Sequence, residues 1–121
     1  MAYASLHTNN KLRQEAFLSI IYIGQSQAKI GEVDNFRNFL TSVVMPGVRT
    51  SAGCESYQLF QSQDDPTKFI GIEVWDSVEA HRASVKNIPD ERLGEYMKLV
   101  ATLPTGGYYH TVHAKDDQAE A

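Results

Sequence analysis

The chain has 121 residues, a length typical of one domain, and its 11 Lys and Arg against 15 Asp and Glu give a net charge of −4. No segment gathers enough basic residues to follow a phosphate backbone, and the longest apolar run, residues 20–23, is far too short for a membrane helix, so neither nucleic acid nor a membrane is an expected partner. The start lacks a signal-peptide pattern, and the lone Cys54 cannot form an internal disulfide, so we expect a cytoplasmic protein.

The domain is expected to span residues 17–113. Residues 1–16 have no clear period and are interpreted as an N-terminal extension, and residues 114–121 are small or charged and are interpreted as a flexible C-terminal tail. Residues 17–24 are rich in β-branched and aromatic side chains and are apolar at both alternating positions. This pattern predicts a central strand that is covered on two faces.

The next segment changes to a helical spacing. Apolar residues recur every three or four positions, at Ile30, Val33, Phe36, Leu40 and Val43. The spacing predicts a helix from residue 28 to about Met45, which Pro46 and Gly47 should end or kink. Residues 54–62 and 68–75 then alternate as strands, and the turn formers Asp64, Asp65 and Pro66 between them predict a hairpin.

A second helix is predicted after Trp75. Asp76 and Glu79 have capping-box spacing, a break is expected near residues 87–89, and the helix should resume from Asp90. We expect Leu93, Met97 and Val100 to point inward. Residues 108–113 should form a short last strand after Gly106 and Gly107. The order βαββαβ predicts an α+β fold with a four-stranded antiparallel sheet and helices on one face.

The third strand indicates what each sheet face does. Side chains alternate along a strand, so Ile70, Ile72 and Val74 point one way and Phe69, Gly71, Glu73 and Trp75 point the other. Two helices can cover only one face, and a second copy of the sheet is the simplest cover for the aliphatic one. We therefore predict a homodimer.

The mixed face is predicted to line a ligand cavity beneath the helices. Gly71 would leave room for a ligand, whereas its simpler explanation is close packing. Glu73 would be costly to bury unless paired, and a salt bridge is its simpler explanation. Trp75 is more often a core residue than a catalytic one. Phe60, Phe69 and His110 complete the residues that we expect to bind substrate.

His81 is the candidate proton-transfer group. It lies six residues past Trp75, on the first turns of the following helix, and could lean over the mouth of the same cavity, although most lone helix histidines are surface groups. His110 and His113 should face opposite sides of a strand, so they are not expected to share a metal. Gly106 and Gly107 precede a strand rather than a helix, so no nucleotide cofactor site is visible. We expect no cofactor and no metal.

The stretch of residues 52–84 resembles the antibiotic biosynthesis monooxygenase family. The resemblance rests on four motifs: Gly53-Cys54, Asp64-Asp65-Pro66, Glu73-Val74-Trp75-Asp76-Ser77 and Ala80-His81. It extends more loosely over residues 17–112. It implies a ferredoxin-like dimeric α/β barrel, in which two sheets pack face to face and a ligand cavity lies between each sheet and its own helices.

The family is functionally mixed, so its residues must be compared one by one. In quinone-forming relatives an Asn, a Trp and a Tyr line the pocket, and the corresponding positions here are Gly71, Trp75 and His81. The Trp is retained, the Asn is absent, and an imidazole replaces the phenol. The haem-degrading relatives need an Asn on the first strand and a His where this chain has Val85; residues 17–27 contain no Asn, so haem degradation is not expected.

Three functions follow from the resemblance and the residues. The first is a cofactor-independent monooxygenase acting on a small phenolic or quinol-type aromatic, with His81 as base and Trp75 as a catalytic wall of the pocket. The second is a non-oxidative, isomerase-like enzyme that uses His81 and Glu73 as acid and base. The third is a ligand-binding dimer without turnover.

Overall fold

The computed structural model describes residues 18–113, so the expected N-terminal extension and C-terminal tail lie outside the described residues. The elements are β1 (Ile20–Gln27), α1 (Val33–Phe39), α2 (Met45–Arg49), β2 (Cys54–Gln61), β3 (Lys68–Trp75), α3 (Val78–Lys86), α4 (Asp90–Leu99) and β4 (Thr105–Tyr109). A π-helical turn, Leu40–Val44, joins α1 to α2. Within this range no helix has the length and apolar character needed to cross a bilayer.

The strands form an antiparallel sheet in the order β2-β3-β1-β4. β1 and β3 are therefore the central strands. For β1 this position was predicted, because its residues are apolar at both alternating positions. The helical segment α1–α2 connects β1 to β2, and α3 and α4 connect β3 to β4. This is the expected ferredoxin-like α+β fold.

The helices cover one sheet face, and the apolar core lies there. Phe69 and Phe36 meet edge to face with ring centroids 5.3 Å apart, and Phe36 also contacts Tyr96 of α4 at 5.6 Å. The buried members of this core are Ala28, Phe36, Leu40, Phe69 and Val100. The mixed face of β3 is thus the helix-covered face, as expected.

The opposite face, which we call the open face, carries aliphatic side chains from both central strands. It comprises Ile21, Ile23, Ile70, Ile72 and Val74. Strand register places Ile21 opposite Val74 and Ile23 opposite Ile72, so these side chains form one continuous patch. Ile70 is exposed, and the other four side chains are partly exposed.

The first helix differs from the prediction at both ends. It begins at Val33, and Ile30 lies in the preceding turn, 96% exposed, rather than on the buried stripe. It passes through Pro46 and ends at Arg49 instead of Met45. Pro cannot donate a backbone hydrogen bond and clashes with the carbonyl four residues earlier, and the wider π turn before it removes the need for that i→i−4 bond.

The second helical region breaks where predicted, but its cap and inward face differ. The Ser77 side chain, not Asp76, accepts the N–H of Ala80 at 3.1 Å and caps α3. In α4, Leu93 and Met97 are exposed, whereas Tyr96 and Leu99 pack against the core. Val100, the third residue expected to point inward, is buried in the core but follows the end of α4. The apolar spacing of α4 fits a stripe through Leu93 and Met97 or one through Tyr96 and Leu99, so spacing alone could not decide between them.

The last strand is Thr105–Tyr109, earlier than the predicted residues 108–113. Gly106 and Gly107 belong to the strand and pair with β1, opposite Gly24 and Ile23. His110 and His113 follow the strand and are exposed, so the predicted opposition of these two side chains on a strand is wrong.

Candidate functional site

A row of polar side chains crosses the helix-covered face near one end of the sheet. Strand register aligns Tyr57 of β2, Glu73 of β3, Tyr22 of β1 and Tyr108 of β4. Residues that share a register position on one face are neighbours across the strands. The row therefore holds one carboxylate between phenol groups.

α3 adds an imidazole above this row. β3 ends at Trp75, Ser77 caps the helix, and His81 lies on its first turn, where it faces back toward the sheet. Here we name the polar aromatic cluster: Tyr22, Glu73, Trp75, His81 and Tyr108. The structure thus brings together three of the predicted site residues, His81, Trp75 and Glu73, with two tyrosines that sequence analysis did not identify.

His81 is enclosed by this cluster. Its ring stacks on Tyr22 with centroids 4.0 Å apart and an interplanar angle of 25°, and it meets the fully buried Trp75 edge to face at 5.4 Å. Its Nδ1 lies 2.7 Å from the hydroxyl oxygen of Tyr108, and its Nε2 lies 3.9 Å from Glu73 Oε1. Only 7% of His81 is exposed, so it lies inside the domain rather than at the expected mouth of a cavity.

Glu73 is a largely buried carboxylate that accepts a hydrogen bond from a neighbouring indole. The Trp75 indole Nε1–H donates to Glu73 Oε1 at 2.8 Å. Burial raises the pKa of Glu73, and the indole hydrogen bond partly opposes that rise. Sequence analysis gave a salt bridge as the simpler explanation of Glu73; the carboxylate instead faces an indole and an imidazole.

Burial also lowers the pKa of His81, and the nearby charge of Arg82 lowers it further. The distance between His81 and Glu73 falls within ion-pair range, yet the imidazole is disfavoured from becoming charged. The pair is therefore a neutral imidazole beside a carboxylate. The separation of 3.9 Å is too long for a hydrogen bond between the two groups.

The phenols on either side of Glu73 are disfavoured from ionising. Burial raises the pKa of Tyr22, and Glu73 and Tyr108 add to the rise. Burial, followed by the Glu73 charge, strongly raises the pKa of Tyr57. At the other end of the row the Arg82 guanidinium carbon lies 5.7 Å from the Tyr108 ring centroid, a cation–π contact.

Glycines make room for two of these tyrosine rings. Gly71, Gly24 and Gly106 are aligned across three strands, and each lies two residues along its strand from a member of the polar row. A Cβ added at Gly71 would lie 3.1 Å from the Tyr57 hydroxyl, and one at Gly106 would overlap the Tyr22 hydroxyl. The space above Gly71, which we expected a ligand to use, is occupied by Tyr57, so close packing explains this glycine.

The remaining predicted binding residues lie elsewhere. Phe69 is part of the apolar core, and Phe60 lies on the other sheet face, opposite Ile70. His110 is exposed beyond the end of β4. None of them contacts the polar aromatic cluster through a ring or polar contact that the structure records among residues 18–113.

A hollow of about 380 Å³ lies at the opposite, β2 end of the polar row. It is lined by Arg49, Cys54, Glu55, Ser56 and Tyr57. Tyr57, which is paired with Glu73 across β2 and β3, is one of these lining residues. Among residues 18–113, no three His, Cys, Asp or Glu side chains are grouped closely enough to hold one metal ion.

Comparisons with known proteins place this site in a family context. The family model for antibiotic biosynthesis monooxygenases matches residues 19–101. No curated protein sequence matches the chain.

Several solved structures share the fold. A conserved protein from Methanosarcina mazei Go1 superposes with a TM-score of 0.72 at 17% identity, over 82% of this chain and 98% of that one. A protein from Chloroflexus aurantiacus J-10-fl, provisionally assigned as an antibiotic biosynthesis monooxygenase, gives 0.64 at 28% identity, over 79% and 95%. A variant of SnoaB, a cofactor-independent oxygenase from Streptomyces nogalater, gives 0.67 at 13% identity, over 79% and 95%.

At such low identities the M. mazei and S. nogalater structures bear on the fold alone. The family match is of a different kind, because it spans most of the chain and includes β3 and α3, which carry Glu73, Trp75 and His81. The chain belongs to the antibiotic biosynthesis monooxygenase family.

Proposed function

We propose that this protein is a cofactor-independent monooxygenase that oxidises a small phenol or quinol with O₂. The observation that carries the proposal is the buried imidazole of His81, held among aromatic rings and hydrogen-bonded to a phenol. Its lowered pKa keeps it neutral near pH 7, and a neutral imidazole can accept a proton. A phenol must lose its proton before it can reduce O₂ readily.

The reaction needs no electron source besides the substrate. Transfer of the substrate's hydroxyl proton to the enzyme leaves a phenolate, which gives one electron to O₂. The resulting phenoxyl radical and superoxide combine through a new C–O bond to a hydroperoxide. Loss of water from this hydroperoxide leaves a quinone, so one oxygen atom enters the product, the other leaves as water, and the enzyme's proton is returned. A site with few water molecules favours the encounter of a delocalised anion with an apolar gas.

Oxygen uptake with a panel of hydroquinones, naphthols and simple phenols tests the proposal. For a substrate that is consumed, His81→Gln should lose roughly 10² to 10⁴-fold in rate, the usual contribution of a positioned base. His113→Gln, at an exposed position, is the matched control and should retain the wild-type rate.

The pH profile of the same reaction gives a second readout. The wild-type rate should rise with pH, because only neutral imidazole accepts a proton, and the rise should be centred below the ordinary imidazole pKa of 6.5. A wild-type rate and pH profile in His81→Gln would remove His81 from the chemistry.

The non-oxidative alternative is favoured by one observation, the 3.9 Å separation of His81 Nε2 and Glu73 Oε1, which places an acid and a base side by side. An isomerase using this pair would convert its substrate without consuming O₂. A compound that is transformed equally well under argon would therefore support the alternative, and ligand binding without any turnover would support a binding protein.

We also propose that the functional unit is a homodimer formed through the open face. That face presents partly exposed aliphatic side chains of both central strands, and contiguous accessible apolar patches mark association sites. The small aromatic substrate and the second copy are then the two partners of each chain, on opposite faces of its sheet.

A further inference from the structure

Both ring nitrogens of His81 already face a neighbour. Nδ1 is 2.7 Å from the Tyr108 hydroxyl oxygen, and Nε2 faces Glu73 Oε1. Tyr22 stacks on one side of the ring, and Trp75 meets it from another. A substrate hydroxyl would have to displace one of these groups to reach a nitrogen of His81 directly.

The exposure of the two hydrogen-bonded partners differs. His81 is 7% exposed, whereas Tyr108, on the edge strand β4, is 37% exposed. Tyr108 is thus the member of the pair that a molecule arriving from outside can touch. Its hydroxyl oxygen already lies against the buried base.

The electrostatics of the site indicate the direction of the hydrogen bond. Glu73 Oε1 is an acceptor, because it receives the Trp75 indole N–H. The ring nitrogen that faces this oxygen is more stable carrying a proton than presenting a lone pair, so the neutral ring has its proton on Nε2. Nδ1 is then the acceptor, and the Tyr108 O–H donates to it.

We propose that Tyr108 is the group that exchanges the proton with the substrate, and that His81 acts through it. The proposal rests on the proposed function, since it supplies the first step of that reaction. The substrate O–H proton moves to Tyr108 Oη while the Tyr108 hydroxyl proton moves to His81 Nδ1. Tyr108 ends as a neutral phenol, the substrate as a phenolate and His81 as an imidazolium, and no electrons are transferred.

The surroundings suit this relay. The imidazolium would face the Glu73 carboxylate from β3, Tyr22 from β1 and Tyr108 from β4, while Arg82 on its own helix is the neighbouring positive charge. Glu73 favours the charged ring, and Arg82 lies beside Tyr108, where the substrate anion forms. Opposite charges on the two sides of the relay stabilise the separated state.

Tyr108→Phe tests the relay, with Tyr109→Phe as the matched control. Phe keeps the ring and removes only the hydroxyl, and Tyr109 is the next residue of β4, pointing to the other sheet face. On a consumed substrate, Tyr108→Phe should lose roughly 10² to 10⁴-fold in kcat. The double variant Tyr108→Phe/His81→Gln should be no slower than either single variant, because members of one relay act as a unit.

A titration followed by NMR tests the hydrogen bond without any substrate. A hydroxyl that donates to Nδ1 stabilises the neutral imidazole, so Tyr108→Phe should raise the pKa of His81. Tyr109→Phe should leave it unchanged. If no phenol is consumed, the proposed function fails while this titration still reports on the hydrogen bond.

Two results would overturn the relay. The first is a Tyr108→Phe variant that keeps the wild-type kcat on a substrate for which His81→Gln is inactive, because His81 would then contact the substrate itself. The second is an unchanged or lowered pKa of His81 in Tyr108→Phe, because the hydroxyl would then not be donating to Nδ1.

Discussion

Glu73 is a carboxylate among aromatic rings, where its charge is poorly solvated. Burial raises its pKa above the ordinary value of 4.5. Between the ordinary and the folded pKa the folded chain binds the proton more tightly than the unfolded chain, so this group stabilises the fold at low pH. That contribution is lost as the pH rises through the folded pKa.

Glu73→Gln should therefore raise the free energy of unfolding at pH 7. Gln keeps an oxygen that can accept the Trp75 indole N–H but cannot ionise. The gain over wild type should shrink as the pH falls through the folded pKa and disappear well below 4.5, where the wild-type carboxyl is neutral in both states. Denaturant unfolding at a series of pH values measures this difference.

The exposed carboxylate of Glu79 on α3 offers the control. Glu79→Gln should not reproduce the pH-dependent gain. A Glu73→Gln variant that is less stable than wild type at pH 7 would contradict the prediction, and would indicate that the ionised carboxylate is stabilised in the fold, for example by a charged His81.

Sequence analysis identified the residues of this site that are close together along the chain. Trp75, Glu73 and His81 lie on consecutive elements, and strand alternation correctly placed the first two on the helix-covered face. Tyr22 and Tyr108 were missed because only the register of β1 with β3 and β4 brings them to His81. Alternation along β1 could have placed Tyr22, since it fixes which residues share a face.

At the scale of elements, β3 is the strand whose bounds the sequence predicted to the residue. Its pattern is strict, and turn formers precede it. The end of the helix α1–α2 was harder to predict. The rule that Pro ends a helix assumes i→i−4 hydrogen bonds, and the π turn Leu40–Val44 avoids that requirement. The bounds of β4 were missed because its two glycines are typical of loops, whereas here Gly106 makes room for the Tyr22 side chain of β1.

Gly106 shows how strongly β4 and β1 are matched. A Cβ there would overlap the Tyr22 hydroxyl, and the Tyr22 ring is stacked on His81 and cannot move without disturbing that contact. Gly106→Ala should cost about 1 to 3 kcal/mol of stability, the usual range for overpacking, and should displace Tyr22 from His81. Thermal unfolding and the ring-current shifts of His81 in NMR spectra measure the two effects.

The adjacent Gly107 gives a control within the same strand. A Cβ at Gly107 would meet the Tyr109 ring at 3.7 Å, an ordinary contact, so Gly107→Ala should change the stability by about 0.5 kcal/mol or less. Equal stability for the two alanine variants would contradict the prediction. It would mean that Tyr22 can move away from residue 106, and that the close fit between β1 and β4 does not contribute to stability.

At the scale of the whole molecule, the sheet separates two faces of different chemical character. The helix-covered face holds the core and the polar aromatic cluster, and the open face holds aliphatic side chains that are exposed or partly exposed among residues 18–113. The sequence predicted this division from β3 alone, because period-two alternation sorts aliphatic from mixed residues. It could not show that Tyr57 fills the space above Gly71, which depends on the packing of a ring from another strand.

The dimer proposal predicts that Ile72→Glu abolishes association. Ile72 is on a central strand, in register with Ile23, so a carboxylate there would lie within the buried interface. Each buried aliphatic side chain contributes roughly 1.5 to 3 kcal/mol, and an unpaired charge adds a desolvation cost. Sedimentation should give twice the 13.5 kDa chain mass for wild type and the chain mass, or unfolded material, for Ile72→Glu.

Ile30→Glu is the control for Ile72→Glu, because it replaces an exposed apolar residue by a carboxylate outside the proposed interface. Ile30 is the most exposed large apolar side chain among the described residues and lies in the turn before α1, away from the open face. Its substitution should leave the dimer intact. A wild-type chain that sediments as a stable monomer at micromolar concentration would contradict the proposal directly, and the aliphatic rows of β1 and β3 would then require a different partner, because a sheet face of this composition is unfavourable in contact with water.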